Sequence, residues 1–279
     1  MSTVLVTGAT GFLGPYLMES FGSLGRVIGV ARSSTDCLCD LTDRSAVKSL
    51  LQEIKPDAVV HAAALTDVDQ CEREPARAMQ VNRDATANLV DHLPAATAFL
   101  YVSTDQVYPG DGAPHVEGHE GPVNVYGASK LAGEVVARRH ARALVLRTNL
   151  FGISRGQKSA SLVDFLVKSF RKGDPITLFT DIFFSPLHVE TMARIAGECI
   201  QKNLMGTFNI GSHDGMSKSA FALAVAHHMD MPAGNAHNGT SASFPARAPR
   251  PSDMRMDVSR IEKAIDRRMP TLAYEIKKL

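Results

Sequence analysis

The feature that most constrains the fold is a set of three glycines near the N-terminus, Gly8, Gly11 and Gly14, spaced G-x-x-G-x-x-G. A β-branched run, Thr3–Thr7, precedes them and a helical pattern follows. Three glycines alone could mark any tight turn. A strand-to-helix turn, however, directs backbone N–H groups and the positive helix end at one point, which suits the pyrophosphate of a dinucleotide. The pattern therefore predicts a dinucleotide site, and its residues here are Gly8, Thr10, Gly11, Phe12, Leu13 and Gly14.

The first two thirds of the chain alternate short β-branched runs with longer helical patterns. This alternation is typical of a parallel sheet with helices on its faces, so we expect a Rossmann-like, doubly wound α/β fold. The predicted strands are Thr3–Thr7, Arg26–Val30, Ala58–His61, Ala98–Val102 and Ala143–Arg147. The predicted helices include one capped by Thr42 and others at Tyr126–His140, Leu162–Arg171, Val189–Gln201 and Lys218–Met229.

The pattern weakens after Leu150, which indicates a change of domain. We expect residues 1–150 to form the dinucleotide-binding domain, completed by about residues 183–210. Residues 151–182 and 211–279 are expected to form a smaller C-terminal lobe that binds substrate. Within that lobe, Met231–Pro251 is rich in Ala, Pro, Ser, Gly and Asn, which predicts a long loop.

The bulk composition limits the partners. The 279 residues have a formal net charge of +1, which argues against duplex nucleic acid as the main partner. No apolar run approaches the ~20 residues of a membrane span, and the N-terminal sequence is unlike a signal peptide. The cysteines, Cys37, Cys39, Cys71 and Cys199, lack zinc-site spacing. We therefore expect reduced thiols, a cytoplasmic location, and no nucleic-acid or membrane partner.

The end of the second predicted strand indicates which dinucleotide binds. NAD enzymes usually place an acidic residue there for the ribose 2′-hydroxyl. This chain instead has Arg32, followed by Ser33 and Ser34. An arginine can pair with the 2′-phosphate of NADP, and serines can donate to it. NADPH is therefore the expected cofactor and NADH is disfavoured, while the alternative is an ordinary exposed arginine.

A candidate catalytic pair is Tyr126 and Lys130, a Y-x-x-x-K motif at the start of a predicted helix. Residues i and i+4 lie on one helix face, so the phenol and the ammonium can share a cleft. A nearby lysine charge favours the phenolate and lowers the tyrosine pKa from about 10. Thr104 lies 22 residues earlier at a strand end, where it can orient a substrate carbonyl. The combination with the glycine loop predicts a catalytic site made of Thr104, Tyr126 and Lys130.

These motifs resemble the extended short-chain dehydrogenases/reductases that act on nucleotide sugars, over almost the whole chain. Ser103–Tyr108 and Arg250–Asp257 are most similar to the dTDP-4-dehydrorhamnose reductases. The resemblance implies a Thr-Tyr-Lys triad, a two-lobed architecture, and NADPH-dependent reduction of the 4-keto group of a nucleotide-activated 6-deoxyhexose. The cofactor contacts that it adds are Asp40, Leu41, Ala62, Ala63, Ala64, Tyr126 and Lys130. The substrate contacts that it implies are Thr104, Asp105, Gln106, Asn149 and Arg250.

Several residues with metal-binding or charged side chains are given other roles. In some of these reductases a glutamate near the first helix helps to bind a bridging magnesium, but Pro15 occupies that neighbourhood here. His115 and His119 fall in a predicted loop, where they lack the helical geometry of a metal-binding pair. We therefore expect no metal. Glu134 is expected to be structural, with Lys130 or Arg138 as its partner.

Three related functions differ from this prediction. An NAD-dependent nucleotide-sugar epimerase shares the fold, but Arg32 disfavours it. A 4,6-dehydratase normally has an acid pair after the threonine, whereas this chain has Asp105 followed by Gln106. A non-catalytic, NADP-binding regulatory subunit would retain the same motifs, so it stays open. The expected partner is a nucleotide-diphosphate sugar substrate, and a homodimer stays open as well.

Overall fold

The computed structural model describes residues 2–35, 37–155, 161–244 and 247–279. Its strands are β1 (Ser2–Thr7), β2 (Gly25–Ala31), β3 (Cys37–Leu38), β4 (Ala58–His61), β5 (Ala98–Thr104), β6 (Ala143–Thr148), β7 (Leu150–Phe151), β8 (Ile176–Phe179), β9 (Phe183–Phe184), β10 (Leu187–His188), β11 (Gly206–Ile210), β12 (Met216–Ser217), β13 (Ala236–Gly239) and β14 (Asp253–Met254). Its α-helices are α1 (Gly14–Gly22), α2 (Arg44–Ile54), α3 (Val68–Arg73), α4 (Pro75–Met79), α5 (Ala85–Val90), α6 (Val125–Ala137), α7 (Leu162–Lys172), α8 (Val189–Gln201), α9 (Lys218–His228), α10 (Ser259–Ile265) and α11 (Leu272–Ile276).

Seven strands form a parallel sheet in the order β11-β6-β5-β4-β1-β2-β3. Strands β4 and β6 are buried at every residue because helices cover both faces of the sheet. The strand order reverses between β1 and β4, and such a switch point opens a crevice at the carboxyl ends of the strands. The predicted Rossmann-like, doubly wound fold is confirmed.

Two apolar cores hold the helices against the sheet. On one face, Leu17 and Phe21 of α1 pack with Met192 and Ile195 of α8. A second core, on the other face, contains the apolar side of α2 and residues of α5 and β5. Burial of aliphatic and aromatic side chains at about 1.5–3 kcal/mol each fixes these helices, and with them the loops that border the crevice.

The C-terminal part has a core of its own. Its largest buried side chains include Phe151, Phe170, Phe184 and Phe221, drawn from β7, α7, β9 and α9. Between these elements, α8 and β11 return to the central sheet. The assignment of substrate binding to this lobe stays a prediction.

Three local predictions need correction. Thr42 does not cap α2; Asp43 does, accepting from the backbone N–H groups of Ser45 and Ala46. The helix that begins near Tyr126 ends at Ala137, three residues before the predicted end. Within the predicted loop Met231–Pro251, β13 pairs in parallel with β8. This strand is half exposed and lacks alternating apolar residues, so no period-2 pattern indicated it. No described helix is both long enough and apolar enough to cross a membrane.

Candidate active site

A cavity of about 840 Å³ lies at the carboxyl ends of β1, β2, β4, β5 and β6. Each residue predicted to bind cofactor lines it, from the glycine loop through Arg32, Asp40 and Leu41 to Lys130. The predicted substrate residues Thr104, Asp105, Gln106 and Asn149 line it too. Arg250 is the exception and is treated below. One cavity thus contains both sets of residues, although their ligand contacts stay a prediction.

Backbone geometry shapes the cavity at the glycine loop. Gly8 has a left-handed φ of 71°, and a Cβ there would lie 2.8 Å from the backbone nitrogen of Ala63. A Cβ at Gly14 would lie 2.3 Å from the carbonyl oxygen of Ala9. The third glycine therefore allows α1 to start directly against the loop. No side chain caps the start of this helix at Leu13.

Arg32 and Asp40 border the cavity beyond the glycine loop, and both are exposed. Asp40 accepts from the backbone N–H of Thr42 at 2.9 Å and from its hydroxyl at 2.8 Å. These hydrogen bonds lower the pKa of Asp40, and the charge of Arg32 lowers it further. Thr42 therefore stabilises Asp40 instead of capping α2.

Asn124 positions Tyr126 at the start of α6. Its side chain caps the helix by accepting from the backbone N–H of Gly127 at 2.8 Å, and its amide donates to the side-chain oxygen of Gln106 at 2.8 Å. Tyr126 is 8% exposed, and burial raises the pKa of its phenol. A hydrogen bond with Thr104 opposes that rise. The phenol therefore stays protonated at neutral pH and can serve as a proton donor.

Lys130 is buried, and its amine donates to the carbonyl of Val102 at 2.7 Å. The same amine lies 4.2 Å from the centroid of the Tyr101 ring. Burial lowers the pKa of Lys130 to about 7, so it is only partly charged at neutral pH. The Y-x-x-x-K motif predicted that the lysine charge would lower the pKa of Tyr126, whereas burial raises that pKa in this structure.

Asp105 is the most unusual acid of the site because its carboxyl is buried beside Thr104. It accepts from the Asn149 amide at 2.6 Å and from the Thr104 hydroxyl at 3.1 Å. Burial raises the pKa of Asp105 to about 6, against the effect of these hydrogen bonds and of the nearby Lys218 charge. Lys218, the first residue of α9, is a neighbour that was not predicted from the sequence. No local sequence pattern distinguishes Lys218, because only the fold of the chain places it near Asp105.

Arg250 lies outside the cavity lining. Its guanidinium donates to the two carboxylate oxygens of Asp69, at 3.3 and 3.0 Å, and to the Ala248 carbonyl at 2.9 Å. Asn124 also donates to the carbonyl of Pro249. These contacts fasten the 248–250 segment to α3 and to the start of α6. Contact between Arg250 and a substrate diphosphate stays a prediction.

Glu134 and the cysteines were not assigned to the active site. Glu134 pairs with Arg138, one of its two expected partners, and also with Arg147, which was not expected. Among the residues that the structure describes, no group of three or more His, Cys, Asp or Glu side chains could hold a metal. All four cysteines are free thiols.

The Rossmann-like fold and the strand-end cavity with its Thr-Tyr-Lys group define a protein of the extended short-chain dehydrogenase/reductase class. Comparison of the sequence with known families then shows that the chain belongs to the RmlD substrate binding domain family, which it matches over residues 1–279.

Three known proteins are similar to this chain in sequence or in structure. The chain is 32% identical to a probable low-salt glycan biosynthesis reductase of Haloferax volcanii, over 97% of this chain and 95% of that protein. It is also 32% identical to methionine adenosyltransferase 2 subunit beta of Bos taurus, over 93% of this chain and 81% of that protein. Among solved structures, the dTDP-4-dehydrorhamnose reductase of Bacillus anthracis in complex with NADP has a TM-score of 0.91 at 26% identity, covering 99% of this chain and 98% of that one.

Proposed function

We propose that the protein reduces the 4-keto group of a nucleotide-activated 6-deoxyhexose with NADPH. The observation that supports this most is the single cavity in which the glycine loop and Arg32 adjoin Thr104, Tyr126 and Lys130. A reductase needs a binding site for its cofactor and a proton donor in the same crevice. The dTDP-4-dehydrorhamnose reductase with a TM-score of 0.91 is described in complex with NADP, which agrees with this assignment.

The residues present fit a phosphorylated dinucleotide. Gly8, Gly11 and Gly14 line the cavity, so no side chain from these three positions occupies the space where a pyrophosphate would lie. Arg32 at the end of β2 provides a cation for a 2′-phosphate, in the place where an acidic residue would favour NAD. The cavity volume lies within the range of about 300–1,000 Å³ typical of ligand sites.

In the proposed mechanism the bound NADPH supplies the hydride to the ketone carbon. Thr104 orients the ketone through its hydroxyl, and Tyr126 donates a proton to the oxygen that becomes the new alcohol. Burial keeps the phenol of Tyr126 protonated until that step. Lys130, whose amine donates to the Val102 carbonyl, would hold the nicotinamide ribose and tune the phenol of Tyr126. Asp105 and Asn149 hold hydroxyl groups of the sugar.

A second candidate is a non-catalytic, NADP-binding regulatory subunit. It is favoured by the 32% identity with subunit beta of methionine adenosyltransferase 2, a protein named as a subunit of another enzyme. The presence of Thr104, Tyr126 and Lys130 in one cavity favours catalysis. Both candidates predict NADPH binding, so binding alone does not separate them.

Turnover of keto-sugar nucleotides separates the two candidates. We expect the purified protein to oxidise NADPH in the presence of a nucleotide-linked 4-keto-6-deoxyhexose, followed by absorbance at 340 nm. The control is the same assay with the corresponding reduced sugar nucleotide, which should give no signal. If NADPH binds but no keto-sugar in a panel of nucleotides and sugars is reduced, the catalytic proposal fails. A pull-down from cell extract would then test the regulatory candidate.

A further inference from the structure

The side-chain amide of Gln106 borders the cavity and is held from behind by Asn124. Gln106 lines the cavity together with Thr104 and Tyr126. Its side-chain oxygen accepts from the Asn124 amide at 2.8 Å. Asn124 is buried, with 6% of its surface exposed. One of the two polar atoms of the Gln106 side chain is therefore already bonded inside the protein.

Two backbone groups determine which way these amides point. The N–H of Gly127 can only donate, so the Asn124 atom that lies 2.8 Å from it is the side-chain oxygen. The carbonyl of Pro249 can only accept, so the Asn124 atom that lies 2.9 Å from it is the amide nitrogen. The same nitrogen donates to Gln106, which therefore turns its oxygen toward Asn124. The amide nitrogen of Gln106 is left as a donor, and within the described part of the chain no group accepts from it.

The backbone of Gln106 is fixed by the two elements that carry the catalytic residues. Its N–H donates to the Thr104 hydroxyl at 3.2 Å. A Cβ at Gly127, the residue after Tyr126, would lie 2.1 Å from the carbonyl oxygen of Gln106. The absence of a side chain at Gly127 thus lets the start of α6 pack directly against Gln106. The amide donor is held in one position before any substrate binds, which lowers the entropic cost of using it.

We propose that Gln106 determines specificity by donating its amide N–H to the hydroxyl oxygen next to the substrate ketone, and that Asn124 is the positioning residue that sets this orientation. The inference rests on the proposed function, in which Thr104 holds the ketone. Carbon 5 of a 6-deoxy-4-ketohexose bears the methyl group, so the hydroxyl next to the ketone is the one on carbon 3. A donor fixed beside Thr104 therefore selects keto-sugars with an oxygen on carbon 3, because a sugar without that oxygen would leave the amide unpaired.

Gln106→Glu tests the donor, because it keeps the shape and the oxygen that accepts from Asn124 but replaces the amide nitrogen with a second oxygen. For the nucleotide-linked 4-keto-6-deoxyhexose that wild type reduces, we expect KM to rise roughly 10–100-fold, with kcat and the NADPH dissociation constant within about threefold of wild type. The ratio of the variant KM to the wild-type KM should shrink between about pH 8 and about pH 5, because a protonated carboxyl regains a donor. Gln52→Glu, on the exposed side of α2, adds the same charge elsewhere and should leave all three quantities unchanged.

Asn124→Asp tests the positioning without a change at Gln106. An aspartate in this place still caps α6, but its oxygens cannot donate to the Gln106 oxygen. The Gln106 amide should therefore turn round and present its oxygen to the substrate, which should raise KM as Gln106→Glu does. In the background of Gln106→Met, which already lacks the donor, Asn124→Asp should raise KM no further, within about threefold.

The substrate group is tested with the 3-deoxy analogue of the same keto-sugar nucleotide. Wild type should prefer the 3-hydroxylated sugar at least about tenfold in kcat/KM, and Gln106→Met should lose most of that preference. Gln106→Met also serves as the second variant if Gln106→Glu does not fold, as checked by thermal melts.

A wild-type KM in both Gln106→Glu and Gln106→Met would overturn the inference and leave the proposed function standing. A fall in kcat without a change in KM, or a rise in KM that follows the melting temperatures of the variants, would also overturn it, because either would indicate altered packing around α6. If wild type neither reduces nor binds any sugar nucleotide of the panel, the proposed function itself fails, and the inference fails with it.

Discussion

One end of the cavity, the cofactor end, consists of the glycine loop with Gly8 and Gly14 and of the exposed side chains Arg32 and Asp40. The other, the catalytic end, consists of Thr104, Asp105, Tyr126 and Lys130, each less than 9% exposed. Backbone and solvated charges shape the first, and buried titratable groups shape the second. The pKa of an aspartate is consequently shifted in opposite directions at the two ends.

The two aspartates illustrate this difference. Hydrogen bonds from Thr42 lower the pKa of exposed Asp40, while burial raises the pKa of Asp105 to about 6. Solvent screens the charges at the cofactor end. Substitutions there should mainly change the affinity for the cofactor. Charges at the catalytic end lie in a low dielectric, so substitutions there should act on rate and on pH dependence. Substitutions at the two ends test this separation.

The largest effect is expected from Tyr126→Phe, which removes the proton donor and keeps the ring. General acid catalysis typically contributes ~10²–10⁴-fold, so kcat should fall within that range. Steady-state assays on a keto-sugar nucleotide measure it, and thermal melts confirm that the variant is folded. A kcat equal to that of wild type would show that this phenol is not the donor.

Asp105→Asn should change how stability depends on pH. Because the folded-state pKa of Asp105 is raised to about 6, the wild-type fold binds this proton more tightly than the unfolded chain and loses stability as pH rises from about 4 to 7. The variant lacks this loss, so relative to wild type it should gain about 2 kcal/mol over that range. Urea unfolding at pH 4.5 and 7.5 measures the difference.

Asp40→Asn is the matched control at the cofactor end, and its sign is opposite. The folded-state pKa of Asp40 is lowered, so its contribution is present above the unfolded pKa and is lost as pH falls. Its exposure should keep the effect small. Equal pH slopes in the two variants would contradict the separation of the two ends.

Arg32→Ala should abolish the preference for NADPH over NADH. Wild type is expected to bind NADPH at least tenfold more tightly than NADH, because a paired 2′-phosphate can contribute more than ~1.4 kcal/mol. Fluorescence titration with both nucleotides measures the ratio, which should approach one in the variant. Arg44→Ala, at a surface arginine paired with Asp91, should leave the ratio unchanged. Equal affinities in wild type would remove the basis for assigning NADPH.

Removal of metal should have the smallest effect. Reductase activity should survive treatment with EDTA, since the described residues contain no cluster able to hold a metal. Assays before and after chelation measure this. Activity that is lost with EDTA and restored by magnesium would show that the region around Pro15 has a role that its sequence did not indicate.

The strands and the glycine loop around the cofactor end could be predicted from the sequence because their determinants are local. The five predicted strands are present, and strand β4 has the predicted bounds, Ala58–His61. A glycine loop between a strand and a helix fixes backbone geometry within a few residues, so the positive φ of Gly8 and the crowded position of Gly14 follow from the motif. The sheet then brings the strand ends, and with them Thr104, to the same edge.

Other features depend on contacts between distant residues and could not be predicted in this way. Arg147 lies 13 residues after Glu134, and only the packing of α6 on β6 makes them partners. Arg250 pairs with Asp69, 181 residues earlier, and this contact explains its position outside the cavity. Neither pairing has a local sequence signal, because opposite charges at such separations occur throughout the chain.

The most direct test of the separation is a pair of quantities measured on Arg32→Ala and Tyr126→Phe: the NADPH dissociation constant, and the single-turnover rate of NADPH oxidation at saturating cofactor. We predict that Arg32→Ala weakens NADPH binding at least tenfold, about 1.4 kcal/mol, and leaves the rate within about threefold of wild type. Tyr126→Phe should do the reverse, with near wild-type affinity and a rate reduced ~10²–10⁴-fold. If either variant changes affinity and rate by the same factor, the two ends do not have the separate roles assigned to them.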